Sequence, residues 1–129
     1  MATKNLPSPT DAELEILNVL WQRGPSTVRE VYDEINRARE TGYTTVLKMM
    51  QIMAEKGLVR RDEAERAHVY EPARAREQTQ RQMLRSLLER AFEGSASNLV
   101  MQALSAKRAS PQELARIREM LDELEGRRK

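Results

Sequence analysis

Tyr43, Thr44, Thr45 and Lys48 crowd the start of one amphipathic segment. Tyrosine and threonine hydroxyls donate to phosphate oxygens, a threonine methyl packs on a thymine methyl, and a lysine reaches guanine or phosphate. On one helix face, such a set suits the floor of a nucleic-acid groove; the bland alternative is an ordinary solvated face. Arg60, Arg61 and Arg66 follow, with His68 just beyond. These arginines suit backbone phosphates, although cations on a hairpin also serve to protect a sheet edge. Asp62, Glu63 and Glu65 lie among them and dilute their field. His68 is the single histidine of a chain without cysteine, so one subunit cannot assemble a transition-metal site from such ligands. It reads as a strand residue beside DNA. Met49, Met50 and Met53 could form a soft-metal box, but their helical spacing favours core filling. The chain has no cysteine nucleophile and no glycine-rich phosphate loop. Its lone histidine has no serine or carboxylate at a recognised spacing. The expectation is therefore a protein that is not an enzyme and carries no metal or cofactor.

The elements that must hold these residues are legible from periodicity. Thr10 with Glu13 forms a capping box ahead of Leu14, Leu17, Leu20 and Trp21, and Gly24-Pro25 ends that first helix. Thr27 with Glu30 opens a second helix with Val28, Val31, Tyr32 and Ile35 on its apolar stripe. A third runs from about Tyr43 to Lys56. Val46, Met49, Met50 and Met53 form its inner face, Thr45, Lys48, Gln51, Ile52 and Glu55 its outer one, and Gly57 stops it. The period then changes. Leu58–Asp62 and His68–Tyr70 read as two strands of a hairpin. Three helices and a β-hairpin within the first 72 residues make a winged helix-turn-helix domain. After Pro72 the pattern is helical to the end. Its stripes are Met83, Leu84, Leu87, Leu88 and Ala91, then Leu99, Val100, Ala103 and Leu104. After the strong start at Ser110-Pro111-Gln112-Glu113 come Leu114, Ile117, Leu121 and Leu124. The fold class expected is mostly α with a small β-hairpin, in two domains: 1–72 for DNA binding and 73–129 helical.

The second segment has Phe92 as its only aromatic and is too small to bury a sufficient core alone. Its apolar stripes need a partner, most simply a second copy related by a two-fold axis. Met83, Leu84, Leu87, Leu88, Leu114, Ile117, Leu121 and Leu124 are the expected dimer contacts. Charge gives DNA binding little help. The first 72 residues carry ten Lys+Arg against twelve Asp+Glu, and the remainder twelve against eight. Phosphate neutralisation normally dominates affinity, so local placement has to carry the argument. Apolar runs are short and broken by charges, so neither a membrane span nor a leader is expected, and a reducing, cytoplasmic setting fits a chain without cysteine. The opening Met1–Asn5 reads as a polar tail, and Arg127-Arg128-Lys129 as favourable charge at a helix C-terminus.

The run Gly42-Tyr43-Thr44-Thr45-Val46-Leu47-Lys48-Met49-Met50-Gln51, continuing to Lys56-Gly57-Leu58-Val59-Arg60-Arg61, resembles the penicillinase-repressor (BlaI/MecI) family. Ala12–Leu17 with Leu20-Trp21, Thr27–Val31, Ala67–Tyr70, Leu99-Val100 and Ser110–Leu124 continue the resemblance over nearly the whole chain. It implies a dimeric repressor of a dyad-symmetric operator, with the third helix in the major groove, the wing along the backbone and the last helices dimerising. It further implies control of β-lactam-resistance or related stress genes, and a sensor-protease as partner. The family's cleavage junction, of Asn-Phe type, aligns with Gln102-Ala103, a different dipeptide. The C-terminal cysteines of copper-responsive relatives are missing. Position 52, basic in some relatives, is Ile52, and the wing tip Ala64-Glu65-Arg66 lacks the glycine many relatives use.

Two other functions compete. A winged helix acting only as a protein-interaction module would account for the acidic balance of the first 72 residues. An adaptor built on the helical tail would function through residues 73–129 alone.

Overall fold

The computed structural model describes residues 8–64 and 66–127. Met1–Asn5, Glu65 of the wing tip and Arg128-Lys129 of the basic tail lie outside the described residues.

Helix α1 (Asp11–Arg23) begins where its capping box dictates. The Thr10 hydroxyl accepts from the Glu13 N–H at 3.2 Å, and the Glu13 carboxylate accepts from the Thr10 N–H at 3.0 Å. Two donors that the helix start would otherwise orphan are satisfied reciprocally. Thr27 and Glu30 repeat the device at α2 (Val28–Ala38), at 3.2 and 2.9 Å. Helix α3 (Tyr43–Lys56) ends at Gly57, whose φ of 86° and ψ of 13° lie in the left-handed region that a side chain disfavours. That turn lets the Leu58 N–H reach back to the Met53 carbonyl at 2.9 Å and sends the chain directly into the wing.

The wing comprises β2 (Val59–Asp62) and β3 (Val69–Pro72), antiparallel, with Arg61 opposite Tyr70 and Arg60 opposite Glu71. A strand that the sequence analysis lacks completes the sheet. β1 (Ser26–Thr27) pairs antiparallel with the other side of β3, giving the order β1-β3-β2. Two residues are too few to show alternation, so no periodicity could announce this strand. Ser26 is fully buried. Its hydroxyl donates to the Gly24 carbonyl at 2.8 Å and accepts from Arg23 Nε at 3.0 Å.

One core serves α1, α2, α3 and the sheet: Ile16, Leu17, Leu20, Val28, Val31, Ile35, Val46, Met50, Met53, Leu58, Val59 and Tyr70. On α1 the stripe turns slightly from the expected one, with Ile16 buried and Leu14 only half-buried. Met50 and Met53 are core residues, and Met49 packs on their cluster.

Helices α4 (Arg76–Ala91), α5 (Ala96–Ala106) and α6 (Pro111–Arg127) follow. The Ser110/Glu113 box opens α6, with contacts of 3.1 and 2.8 Å. The chain forms two compact units that divide between Leu84 and Arg85, inside α4 rather than at Pro72. The start of α4 belongs with the first unit. Thr79 is buried, Trp21 Nε1 donates to the Arg74 carbonyl at 3.0 Å, and the Arg76 guanidinium lies 5.8 Å from the Trp21 ring centre. In the second unit no described residue is buried, and Leu87, Val100, Met101, Leu104, Met120, Leu121 and Leu124 are exposed.

Candidate nucleic-acid interface

Helix α3 is anchored on one side and free on the other. Val46, Met50 and Met53 bury its inner face, while Thr44, Thr45, Lys48, Gln51, Ile52 and Glu55 are exposed along the outer one. Residues three, four and seven apart share a helix face, so Thr45, Lys48 and Ile52 form one line. Lys48 makes no ion pair with any described residue. Gly42 caps α3 without a side-chain hydrogen bond, and its first turn holds no acidic residue. The start of α3 therefore presents hydroxyls, backbone N–H groups and no negative charge.

An ion pair between an exposed lysine and a buried carboxylate fixes the other end of α3. Lys56 Nζ lies 2.6 Å from the Glu13 carboxylate, whose side chain is 3% exposed. Burial alone would raise the Glu13 pKa. The hydrogen bond and charge of Lys56, with the Thr10 cap, outweigh it and hold the carboxyl below its ordinary value. A residue that reads from sequence as a cap therefore also ties α1 to the C-terminal turn of α3.

The wing cations divide into two kinds. Arg60 Nε faces Glu71 at 3.5 Å, and Arg61 Nε is 2.8 Å from Glu63. Proximity to the Tyr70 hydroxyl, followed by the charge of Glu63, pushes the Arg61 pKa further up. Arg66 is exposed and makes no ion pair with any described residue. His68 is exposed and lies just before β3 rather than within it. An open cleft of about 370 Å³ between α3 and β2 is lined by Gln51, Ala54, Glu55 and Arg61, so the wing and the outer face of α3 border one concavity.

Arg29 and Tyr32, which the sequence analysis does not single out as site residues, meet Tyr43 at the start of α3. The Tyr32 and Tyr43 rings meet edge to face at 5.7 Å. The Arg29 guanidinium lies 5.7 Å from the first ring centre and 5.8 Å from the second. A signal was available: Arg29 places a cation in the first turn of α2, where the helix dipole favours an anion. Gln102 and Ala103 lie exposed within α5, where Gln102 Nε2 donates to Asn98 Oδ1 at 3.0 Å. Of the expected dimer residues, Leu84, Leu87, Leu121 and Leu124 are exposed, and Met83, Leu88, Leu114 and Ile117 half-buried.

Comparison with known proteins places this arrangement. The penicillinase repressor family model matches residues 9–123. The transcriptional regulator BlaI of Mycobacterium tuberculosis is 33% identical over 116 residues, covering 89% of this chain and 83% of the relative. The penicillinase repressor of Bacillus licheniformis is 25% identical over 126 residues, covering 98% of both. Among solved structures, the DNA-binding domain of the repressor BlaI is similar, with a TM-score of 0.51 and 27% identity over 57% of this chain and 90% of that one. Monomeric B. licheniformis BlaI in complex with the blaP half-operator gives a TM-score of 0.50 at 27% identity, covering 58% of this chain and 92% of that one. With a winged helix whose third helix leaves its hydroxyl-rich outer face open, and a family match over most of its length, the chain belongs to the penicillinase repressor family.

Proposed function

We infer that this protein is a DNA-binding transcriptional repressor that inserts α3 into the major groove of an operator. The observation that carries the reading is the outer face of α3. Thr44, Thr45 and Lys48 are solvent-exposed on a helix anchored through its other face, in a fold shared with a repressor solved on a half-operator. The width of the major groove admits one such helix. In this reading Tyr43, Thr44, Thr45 and Lys48 contact the bases and flanking phosphates. Arg66 is the principal phosphate contact of the wing, with Arg60, Arg61 and His68 beside it.

The operator is dyad-symmetric and the repressor a homodimer. Support comes from the second unit, where no described residue is fully buried within one chain and Leu87, Val100, Leu104, Leu121 and Leu124 are exposed. In this proposal the helical segment 73–129 supplies the dimer contacts, and the winged helix within 1–72 supplies the DNA contacts. No helix among the described residues is long and apolar enough to cross a membrane, and action on DNA in the cytoplasm completes the proposal. Family membership extends it to β-lactam-resistance or related stress genes and to a sensor-protease acting near Gln102-Ala103.

The ion pairs of Arg60 and Arg61 with neighbouring carboxylates favour one rival, a winged helix that binds protein and never DNA. Retention on heparin and on random duplex DNA at low salt separates the two. A repressor is retained and elutes steeply as salt rises, because each phosphate contact releases counterions. An interaction module passes through unretained.

A further inference from the structure

We propose that Arg29 is a further DNA-contacting residue, taking a backbone phosphate beside the base steps met by the start of α3; the proposal rests on the repressor reading above. A guanidinium is planar and presents its N–H donors around its edge, so a ring against its face leaves those donors available. The Arg29 guanidinium lies over the Tyr32 and Tyr43 rings, 5.7 and 5.8 Å from their centres, and its side chain is 69% exposed. None of its donors makes a hydrogen bond to a described residue, and its one carboxylate neighbour, Asp33, stands 3.8 Å away. Glu30, the other nearby acid, is occupied by Arg23 at 3.2 Å and by the Thr27 cap at 2.9 Å. The Arg61 guanidinium, by contrast, has Glu63 at 2.8 Å.

Position adds to availability. Tyr43 is the first residue of α3, so a cation seated on its ring stands at the rim of the face that carries Thr44, Thr45 and Lys48. The rings restrict the arginine before DNA arrives, and less side-chain freedom is then lost on binding. A bidentate pair with the two non-bridging oxygens of a phosphodiester uses the fork that a lysine lacks.

The test uses the full chain and a duplex selected for binding, with single methylphosphonate substitutions walked along each strand. For the unsubstituted protein, neutralising one phosphate next to the α3 contact weakens binding several-fold, and in Arg29→Ala that particular penalty disappears while the others persist. The slope of log affinity against log salt becomes shallower by about 0.9, so the wild-type advantage over Arg29→Ala shrinks roughly threefold between about 50 and 200 mM salt. Arg29→Lys keeps the slope while losing part of the affinity, which separates the phosphate contact from a packing role against the tyrosines. An unchanged slope in Arg29→Ala, or a methylphosphonate profile identical to wild type, overturns the assignment. If wild-type protein binds no duplex at all, the repressor reading itself fails.

Discussion

Lys48 and Thr45 stand one turn apart on the open face of α3, and Arg66 stands on the hairpin, so the two groups meet different parts of a duplex. A good base contact discriminates by about 1–3 kcal/mol, whereas a phosphate contact strengthens binding to all sequences alike. Thr45→Ala and Lys48→Ala should each lower the ratio of operator to scrambled-DNA affinity. Arg66→Ala should lower both affinities together and flatten the salt slope by about one unit. Titration of both duplexes at several salt concentrations checks this, and loss of operator preference in Arg66→Ala with none in Lys48→Ala would reverse the roles. The Glu13–Lys56 pair gives a stability prediction with a definite sign. Because the folded Glu13 carboxyl titrates below its ordinary value of 4.5, the pair's contribution is complete above that pH and fades as pH falls through the folded value. Lys56→Met, which leaves the buried carboxylate without its cation, should cost about 1–3 kcal/mol near neutrality. Urea titrations should show the gap to wild type closing in acid, and a gap that widened there would refute the assignment. Thr10 and Glu13 were legible as a capping box because their partners are three residues apart. The link to Lys56, 43 residues away, is written in no local pattern.

Secondary elements were more legible than the contacts between them, for the same reason. The boxes at Thr10/Glu13, Thr27/Glu30 and Ser110/Glu113 mark helix starts with local chemistry, and the structure forms all of them. Gly57 marked the end of α3, and its left-handed φ of 86° shows why glycine stands there. Gly57→Ala should cost about 1–2 kcal/mol through left-handed backbone strain, seen as a lower thermal midpoint. Since that turn also aims the wing, DNA affinity should fall with it, and an unchanged midpoint would show that the turn relaxes freely. β1 was invisible because a two-residue strand has no period. Its pairing with β3 depends instead on where the Gly24-Pro25 turn delivers Ser26 and Thr27. The shift from Leu14 to Ile16 on α1 follows from its packing against α2, α3 and β3, whose directions its own periodicity does not specify. On α3, the exposure of Tyr43, Thr44, Thr45 and Lys48 could be read from spacing, but the tyrosine pair and Arg29 come together only once α2 and α3 have packed.

At the scale of the molecule, the sequence pattern and the structure agree on a well-filled first unit and a second that lacks a buried core. Leu121 is 54% exposed on α6 of the single chain, a position that a two-fold partner would cover. Sedimentation should find a wild-type dimer at micromolar concentration and a Leu121→Arg monomer, because the variant would bury a charge without a partner. Wild-type monomer under those conditions would exclude the dimer. An intact first unit in that monomer should still bind a half-site weakly. If one dimer presents α3 twice to a symmetric operator, selection of bound duplexes from random DNA by the full chain should enrich one two-fold symmetric motif. Its half-sites should be spaced by about one helical turn, roughly 10 bp, with Lys48→Ala relaxing the preference at matching positions in both halves. Enrichment of no motif, or of an asymmetric motif indifferent to Lys48→Ala, would contradict it.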